Sequence, residues 1–544
     1  MSAEQPSKVH QVIARTLAEN GVDTMFGVMG DANMFMVDSF IRDCGGRFIP
    51  GAHESGCAIM ALGYSSISGK VGVCSVTHGA AVTNTTTALI EGVKASIPMV
   101  LLCGDTAVED RQNVQNVAQR EFIVATGAGF EQLRSPRTVS EDVARVLRRA
   151  VAEKRPVALN IPYDFDWADA EYVPVSAHVP EYRSTVMESE DLDNAIGIIA
   201  AARRPLILAG RGAATPNAKV ALLRLAERLE APLATTLKGK DLFLGEPFNL
   251  GIFGTVSSPV AVDTIMESDC VVAFGASLNR YTTSLGTFVK GKRVVQINQE
   301  ISEIGKNVVP DAGLVGDYSQ VADLIVHWLD EAEIPGSGFR SDELRRKLET
   351  ERNERSSVQD NGNGTVDFRY ALEQLDRLLP EDRLYVAGGG RFMRKAWNMV
   401  RATDPRYFIN SANYGSIGLG MGYALGTAAA SNGRPTVLIE GDGGFMHAAI
   451  TEFNTAVRNK LDLIIAICND GAYGAEHIKF SDRQMDPSNC LFDWPDMAPI
   501  AEALGGEGVT VRSSADWDDV EKAIANRKAP LLIDIKLDPD LVSF

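Results

Sequence analysis

Thr436-Val437-Leu438-Ile439-Glu440-Gly441-Asp442-Gly443-Gly444, with Leu461–Cys468 and Asn469-Asp470-Gly471 after it, is the stretch whose reading decides the fold. An apolar run is followed by a glycine turn, an amphipathic helix over Phe445–Arg458, and a second apolar run that stops at Asn469. Strand, helix and strand in that order belong to a parallel sheet covered by helices. Both strand ends then lie on one edge, where open α/β sheets bind ligands. Glycine lets backbone approach phosphate closely, and a helix N-terminus offers unpaired N–H groups and a charge of ~0.5 e. Asp442 and Asn469 put hard oxygen donors at adjacent strand ends, and a carbonyl near Gly471 adds a third. Two diphosphate oxygens and water would complete the octahedron that suits magnesium. A lone Gly-Asp-Gly reads as a tight turn. The Asn-Asp-Gly one helix and one strand later is what points to a diphosphate held through a metal.

The same rhythm extends outward. A chain of 544 residues is too long for one core and implies three or four domains. The first block has strand-like runs at Thr24–Val28, Val71–Val76, Met99–Cys103 and Pro156–Ile161. The second has them at Pro205–Ala209, Cys270–Phe274 and Arg293–Ile297, and the third adds Leu384–Val386 and Pro530–Ile535 to the pair above. Helix-like segments alternate with them. Val173–Glu190 and Pro335–Thr365 read as polar linkers. The expected architecture is α/β, with three doubly wound parallel-sheet domains at residues 1–175, 190–335 and 365–544. The first and third blocks share a rhythm that an old duplication would leave.

Composition excludes several classes. The formal charge is −18, from 71 acidic against 53 basic side chains. A protein that binds nucleic acid generally needs basic surface to displace counterions, so no nucleic-acid partner is expected. No apolar run is long enough for a membrane span. Met1–Pro6 shows no basic segment leading into an apolar one, so a secretory signal is not expected. The seven cysteines are scattered without a CxxC pair, and several sit in apolar runs, as reduced thiols of a cytoplasmic protein would. The seven histidines have no zinc spacing.

With Gly-Asp-Gly and the later Asn in place, the chain resembles thiamine-diphosphate enzymes of the acetolactate synthase, pyruvate decarboxylase and benzoylformate decarboxylase superfamily. That resemblance implies pyrimidine-binding, central and diphosphate-binding domains in this order, and thiamine diphosphate and Mg2+ as cofactors. Gly441, Asp442, Gly443, Gly444, Asn469 and Gly471 fall on the cofactor motif, with Asp442, Asn469 and Gly471 on the metal. The family often has Asn-Asn where this chain has Asn469-Asp470; the spacing favours Asn469 as the ligand. His53-Glu54, between an apolar run at Arg47–Ala52 and a helix over Ser55–Ser66, matches the family's activating glutamate. A carboxyl on pyrimidine N1′ favours the 4′-imino tautomer, whose nitrogen removes the thiazolium C2 proton at close range. The resemblance places Glu54 on cofactor bound by a partner subunit, so a homodimer or homotetramer is implied. Ile417, in Gly415-Ser416-Ile417-Gly418, resembles the apolar residue over which the cofactor bends; a core isoleucine is the other reading.

Other residues resemble the family's substrate-facing positions. Asp31, in Gly27-Val28-Met29-Gly30-Asp31-Ala32-Asn33, matches an acid used in proton transfer by pyruvate decarboxylases, and otherwise reads as a turn residue capping a helix. His78, in Thr77-His78-Gly79-Ala80-Ala81-Val82-Thr83-Asn84, would protonate an enamine or hold a carboxylate, or else serve as a structural loop histidine. Gln119 resembles the glutamine near the thiazolium, and Glu476 lies near a catalytic acid's position. In the second block Gly210-Arg211-Gly212 lacks the third glycine of a dinucleotide loop, so FAD is possible but not favoured. The expected function is a 2-oxo acid decarboxylase or carboligase whose enamine intermediate is protonated or added to a carbonyl acceptor. The alternatives are a flavin-dependent oxidase, a 2-hydroxyacyl-CoA lyase, and a non-catalytic cofactor-binding regulatory subunit.

Overall fold

The computed structural model describes residues 7–110, 112–180, 185 and 188–541. Met1–Pro6, on which the absence of a secretory signal was read, and positions 181–184 and 186–187 of the first polar stretch lie outside the described residues. Each apolar run named above forms a strand, and three six-stranded parallel sheets result. Their central strands are buried along their whole length, as expected for sheets covered on both faces.

The chain divides into two compact units. The first holds residues up to 180 together with Val358–Met393 and Ile409 onwards, and the second holds the part up to Ser357 together with Arg394–Phe408. The first unit contains two sheets with one topology. The N-terminal sheet runs Arg47–Pro50, Thr24–Gly27, Gly72–Val76, Met99–Asp105, Pro156–Pro162, Gly129–Gln132. The C-terminal sheet runs Phe408–Asn410, Leu384–Ala387, Thr436–Gly441, Leu463–Asn469, Leu531–Lys536, Glu507–Val511. Both read 2-1-3-4-6-5 in chain order, so both have a topological switch point between their first and third strands. The shared rhythm of the two blocks is thus a shared strand order.

The two halves of this unit meet through the helices Glu54–Ser68 and Gly420–Ala429. Small residues let the backbones touch. A Cβ on Gly426 would overlap the Met60 carbonyl, and one on Gly422 would lie 2.8 Å from the Ile59 side chain. Gly426→Ala is therefore expected to destabilise the fold by about 2–3 kcal/mol, because rigid backbone must yield. Gly197→Ala is the control. Gly197 is exposed within the helix Glu190–Ala201 and has open space around it, so the change should be neutral or stabilise by about 0.5–1 kcal/mol. Thermal melts of both variants check the pair; equal melting temperatures would refute the close-contact account.

The second unit has the sheet Asn249–Ile252, Leu233–Thr235, Pro205–Ala209, Cys270–Phe274, Arg293–Asn298, Ala312–Val315, or 3-2-1-4-5-6 in chain order. One sequence expectation needs correction here. Pro335–Thr365 is not a linker throughout, since Asp342–Asn353 is a helix capped by the Ser341 side chain on the Leu344 N–H. Its Leu344 and Leu348 pack into the apolar cluster around Phe248, Ile265 and Val271. Just two buried positions in a highly charged segment anchor it, which is why its composition reads as solvent-exposed chain.

Candidate active site

The strand Thr436–Gly441 delivers the chain to the switch point of the C-terminal sheet. Helical structure starts at Asp442, three residues before the expected Phe445, so Gly443 and Gly444 lie in the first turn. Gly441 precedes it in extended conformation, and no side chain caps the helix. The turn Phe445–Ala449 is π-helical, a distortion often found at functional sites.

Asp442 is 2% exposed, and its Oδ2 has no hydrogen-bond partner. Burial, then the neighbouring Asp470 carboxylate, raise its pKa. Asp470 itself is compensated: Oδ2 pairs with the Arg391 guanidinium, and Oδ1 accepts the Ala472 N–H at 3.2 Å. Asn469 donates through Nδ2 to Asp534 Oδ1 at 2.8 Å, which fixes its amide, and its Oδ1 accepts the Gly471 N–H at 3.3 Å. The Gly471 carbonyl accepts the Phe492 N–H at 2.7 Å and keeps a second lone pair. Gly471 has φ +60°, which few side chains tolerate.

Two further residues here were not foreseen from sequence. Glu440 is fully buried, and burial pushes its carboxyl up to about 8. It fills the space left by three glycines: a Cβ on Gly388 or Gly420 would collide with its carboxyl, and one on Gly444 would lie 2.6 Å from Oε1. Arg391 holds Asp470 and donates from Nη1 to the Pro539 carbonyl at 2.8 Å, tying down the last described turn of the chain. The available signals were an acid closing an apolar run and an arginine after Gly388-Gly389-Gly390. Ile417 is partly exposed on a loop whose Gly418 backs onto the first turns of the Asp442 helix, and it is not among the residues of the apolar cluster around Met421 and Phe445.

In the N-terminal half, His53 caps the helix Glu54–Ser68 through Nδ1, which accepts the Ser55 N–H at 3.2 Å. Glu54 is half-buried at the helix start, and its Oε2 accepts from Asn84 Nδ2 at 2.9 Å. Asp31 and His78 follow the first and third strands, which puts them at this sheet's own switch point. Asn33 holds the Asp31 loop, accepting the Gly30 N–H at 2.8 Å and donating to Ser75 Oγ at 3.0 Å; the Asp31 side chain is exposed. His78 is 3% exposed and lies parallel to Tyr163, with ring centroids 6.0 Å apart. Its Nδ1 lies 3.2 Å from Thr77 Oγ1, and its Nε2 has no partner. Burial lowers its pKa, against the opposing pull of Asp105 and then Asp31.

Gln119 has its amide fully engaged inside the domain. Oε1 accepts the Gly79 N–H at 2.6 Å, and Nε2 donates to the Gly104 carbonyl at 2.9 Å and to Asn160 Oδ1 at 2.7 Å. It therefore supports the His78-Gly79 turn. Glu476 is not brought into either cluster: it is exposed on the helix Gly474–Asp482 and pairs with Lys479 at 3.4 Å. The buried side chain of that turn is His477, 3.4 Å from Asp540. In the second unit, the N–H groups of Gly210, Gly212, Ala213, Ala214 and Thr215 are bonded to backbone carbonyls close by. The turn where a dinucleotide diphosphate would lie thus has most of its donors committed. No helix among the described residues is long and apolar enough to cross a membrane.

Comparison with known proteins agrees with this layout. Profiles of the thiamine pyrophosphate enzyme N-terminal TPP binding domain, central domain and C-terminal TPP binding domain match residues 7–126, 192–325 and 388–535. An acetolactate synthase of Mycobacterium bovis is 28% identical over 97% of this chain and 88% of its own length. The acetolactate synthase isozyme 2 large subunit of Escherichia coli strain K12 is 27% identical over 97% of this chain and 95% of its own. A sulfoacetaldehyde acetyltransferase of Alcaligenes xylosoxydans xylosoxydans is 26% identical over 92% and 87%.

Proposed function

The chain belongs to the thiamine pyrophosphate enzyme family, with all three of its domains represented, and from that premise we propose that it is a magnesium-dependent 2-oxo acid decarboxylase or carboligase similar to acetolactate synthase. The observation that carries the reading is Asp442, a buried carboxylate without a compensating charge at an uncapped helix start. Leaving such a group unpaired is costly, and a divalent cation held there would remove the cost. The donor set fits. Asn469 has its amide nitrogen occupied by Asp534 and keeps a second lone pair on Oδ1 beside the bond from the Gly471 N–H, and Gly471 keeps a carbonyl lone pair. Asp470 is spent on Arg391 and Ala472, which supports Asn469 as the second ligand.

Thiamine diphosphate, when bound, supplies the electron sink for the pair released as carbon dioxide leaves a 2-oxo acid. The protein's own groups do the rest. The N–H groups of the Asp442 helix start would meet the diphosphate, and Ile417 would set the cofactor's bend. Glu54 would hold a proton at pyrimidine N1′. The resemblance puts that cofactor on a partner subunit, so a homodimer or larger homo-oligomer is part of the proposal. His78, with Nε2 bare and Tyr163 fixing its ring, would bind the substrate carboxylate or move a proton to product. Asp31 would share that role from the loop edge. Gln119 would keep the His78 turn in place, and Glu476 has no part.

Purified protein supplied with thiamine diphosphate and magnesium is expected to release carbon dioxide from at least one of a panel of 2-oxo acids, read with an aldehyde trap and a hydroxyketone assay. Cofactor binding without turnover on any of them would favour a regulatory subunit instead. Bound yellow flavin would favour the oxidase, against the engaged amides of the Gly210 turn. His78→Ala is expected to lower turnover about 10²-fold or change the product ratio, with cofactor affinity within about threefold. Kinetics identical to the parent would make His78 purely structural.

A further inference from the structure

Because the two sheets of the first unit share a strand order, equivalent elements can be compared. In each half, the helix that leads into the fourth strand carries one buried glutamate. Glu91, 0% exposed, lies on Thr86–Ala95, and Glu452, 1% exposed, lies on Ile450–Arg458. Each reaches out of its own half. Glu452 Oε1 accepts the N–H groups of Ala52 and His53 at 3.0 and 3.1 Å, and Oε2 accepts from Thr455 Oγ1 at 2.8 Å. Glu91 Oε2 accepts the Tyr414 N–H at 2.6 Å. Its Oε1 accepts from Asn413 Nδ2 at 2.6 Å, Tyr423 Oη at 3.1 Å and the Asn413 N–H at 3.3 Å. In both halves the gripped segment follows the second strand: Ala52-His53 leads into Glu54, and Asn413-Tyr414 leads into Gly415-Ser416-Ile417.

Burial raises the pKa of both carboxyls despite the bonds they receive, so each is a costly choice at a packing position. The Glu452 side is also shaped to admit it, since a Cβ on Gly56 would lie 2.5 Å from Oε1 and one on Gly51 would lie 3.3 Å away. Two converging N–H bonds to one carboxylate fix the orientation of a turn as well as its distance.

We propose that Glu91 and Glu452 are reciprocal positioning residues, each half of the unit using one buried carboxylate to set the other half's cofactor-contacting loop. Glu452 sets the turn that presents Glu54, and Glu91 sets the turn that presents Ile417. The proposal rests on the cofactor roles given above to Glu54 and Ile417. Neither carboxylate touches the reacting atoms.

The test uses the full chain with Glu452→Gln, Glu452→Asp, Glu91→Gln and Glu91→Asp. At Glu91, Gln must turn an N–H towards one of the donors; at Glu452, Gln can keep its oxygen on the two backbone N–H groups but loses the charge that strengthens both bonds. Asp keeps the charge but falls short of the donors. Three quantities are measured: amide hydrogen exchange of the cofactor-free protein, thiamine diphosphate affinity, and C2–H exchange on saturating bound cofactor. Glu452→Gln is expected to speed exchange at Ala52 and His53 and to slow C2–H exchange about 10- to 100-fold, with affinity within about threefold. Glu91→Gln is expected to speed exchange at Asn413 and Tyr414 and to weaken cofactor binding about tenfold. The Asp variants should move the same quantities in the same directions and by less, and they carry the test where a Gln variant does not fold. Released amides with parental C2–H exchange and affinity would overturn the proposal, as would failure of all four variants to fold. A parent protein with no thiamine diphosphate affinity would instead overturn the cofactor reading, which separates the two failures.

Discussion

Replacing Glu54 with Gln is expected to slow hydrogen–deuterium exchange at C2 of bound thiamine diphosphate by about 10²- to 10⁴-fold, the range general acid–base groups supply. The substitution is nearly isosteric. Glu54 sits at the first position of its helix, and its one hydrogen bond among the described residues comes from Asn84 Nδ2. A glutamine carbonyl can accept that bond, and His53 still caps the helix through the Ser55 N–H. Fold and cofactor affinity should therefore hold, while the group that keeps a proton at pyrimidine N1′ is lost. Proton NMR of acid-quenched samples reads the C2 exchange directly, without a substrate. Unchanged exchange at saturating cofactor would remove Glu54 from the chemistry and leave it an ordinary residue of a helix start.

Why these positions were legible while others were not follows from where they lie in the sheets. Strands buried on both faces are continuous apolar runs, and Gly72–Val76, Cys270–Phe274 and Leu463–Asn469 were visible for that reason. Edge strands such as Gly129–Gln132, Glu507–Val511 and Asn249–Ile252 are partly exposed, so their composition matches that of loops. Asp31, His78, Asp442 and Asn469 could be singled out as candidates because they end or follow central strands, and the strand ends of open α/β sheets are where ligands bind. Glu91 and Glu452 could not. Each lies within a helix, and its meaning comes from a loop 322 or 399 positions away. Gln119 is a candidate whose hydrogen bonds could not be read from the sequence. The resemblance places it near the thiazolium, and in this structure its amide bonds to Gly79, Gly104 and Asn160. Glu476 looked like an acid beside the metal loop, yet helical periodicity turns it to solvent and turns His477 inward.

Asp442→Ala is expected to weaken magnesium-dependent thiamine diphosphate binding by at least about 100-fold, since even the outer partners of a metal cost about 10- to 100-fold when removed. Titration calorimetry with and without magnesium measures it, and equal affinity in variant and parent would reject the site. The cofactor-free protein supplies a readout of opposite sign. There Asp442 is a buried acid beside the Asp470 carboxylate, with an unpartnered oxygen, so its removal should not lower the apo melting temperature. The loss belongs to the loaded protein alone, whereas a merely structural aspartate would destabilise both forms. This variant also decides which chains share a site. If Glu54 of one subunit serves cofactor held by Asp442 of another, mixing Glu54→Gln with Asp442→Ala subunits under exchange creates hybrids with one intact site and one doubly altered site. Equal mixing then restores about a quarter of the parental C2–H exchange. If both residues act within one chain, every site in the mixture keeps one lesion and nothing returns. Recovery would place the catalytic cleft between subunits; its absence, after the hybrids are verified by native mass spectrometry, would place it within the chain.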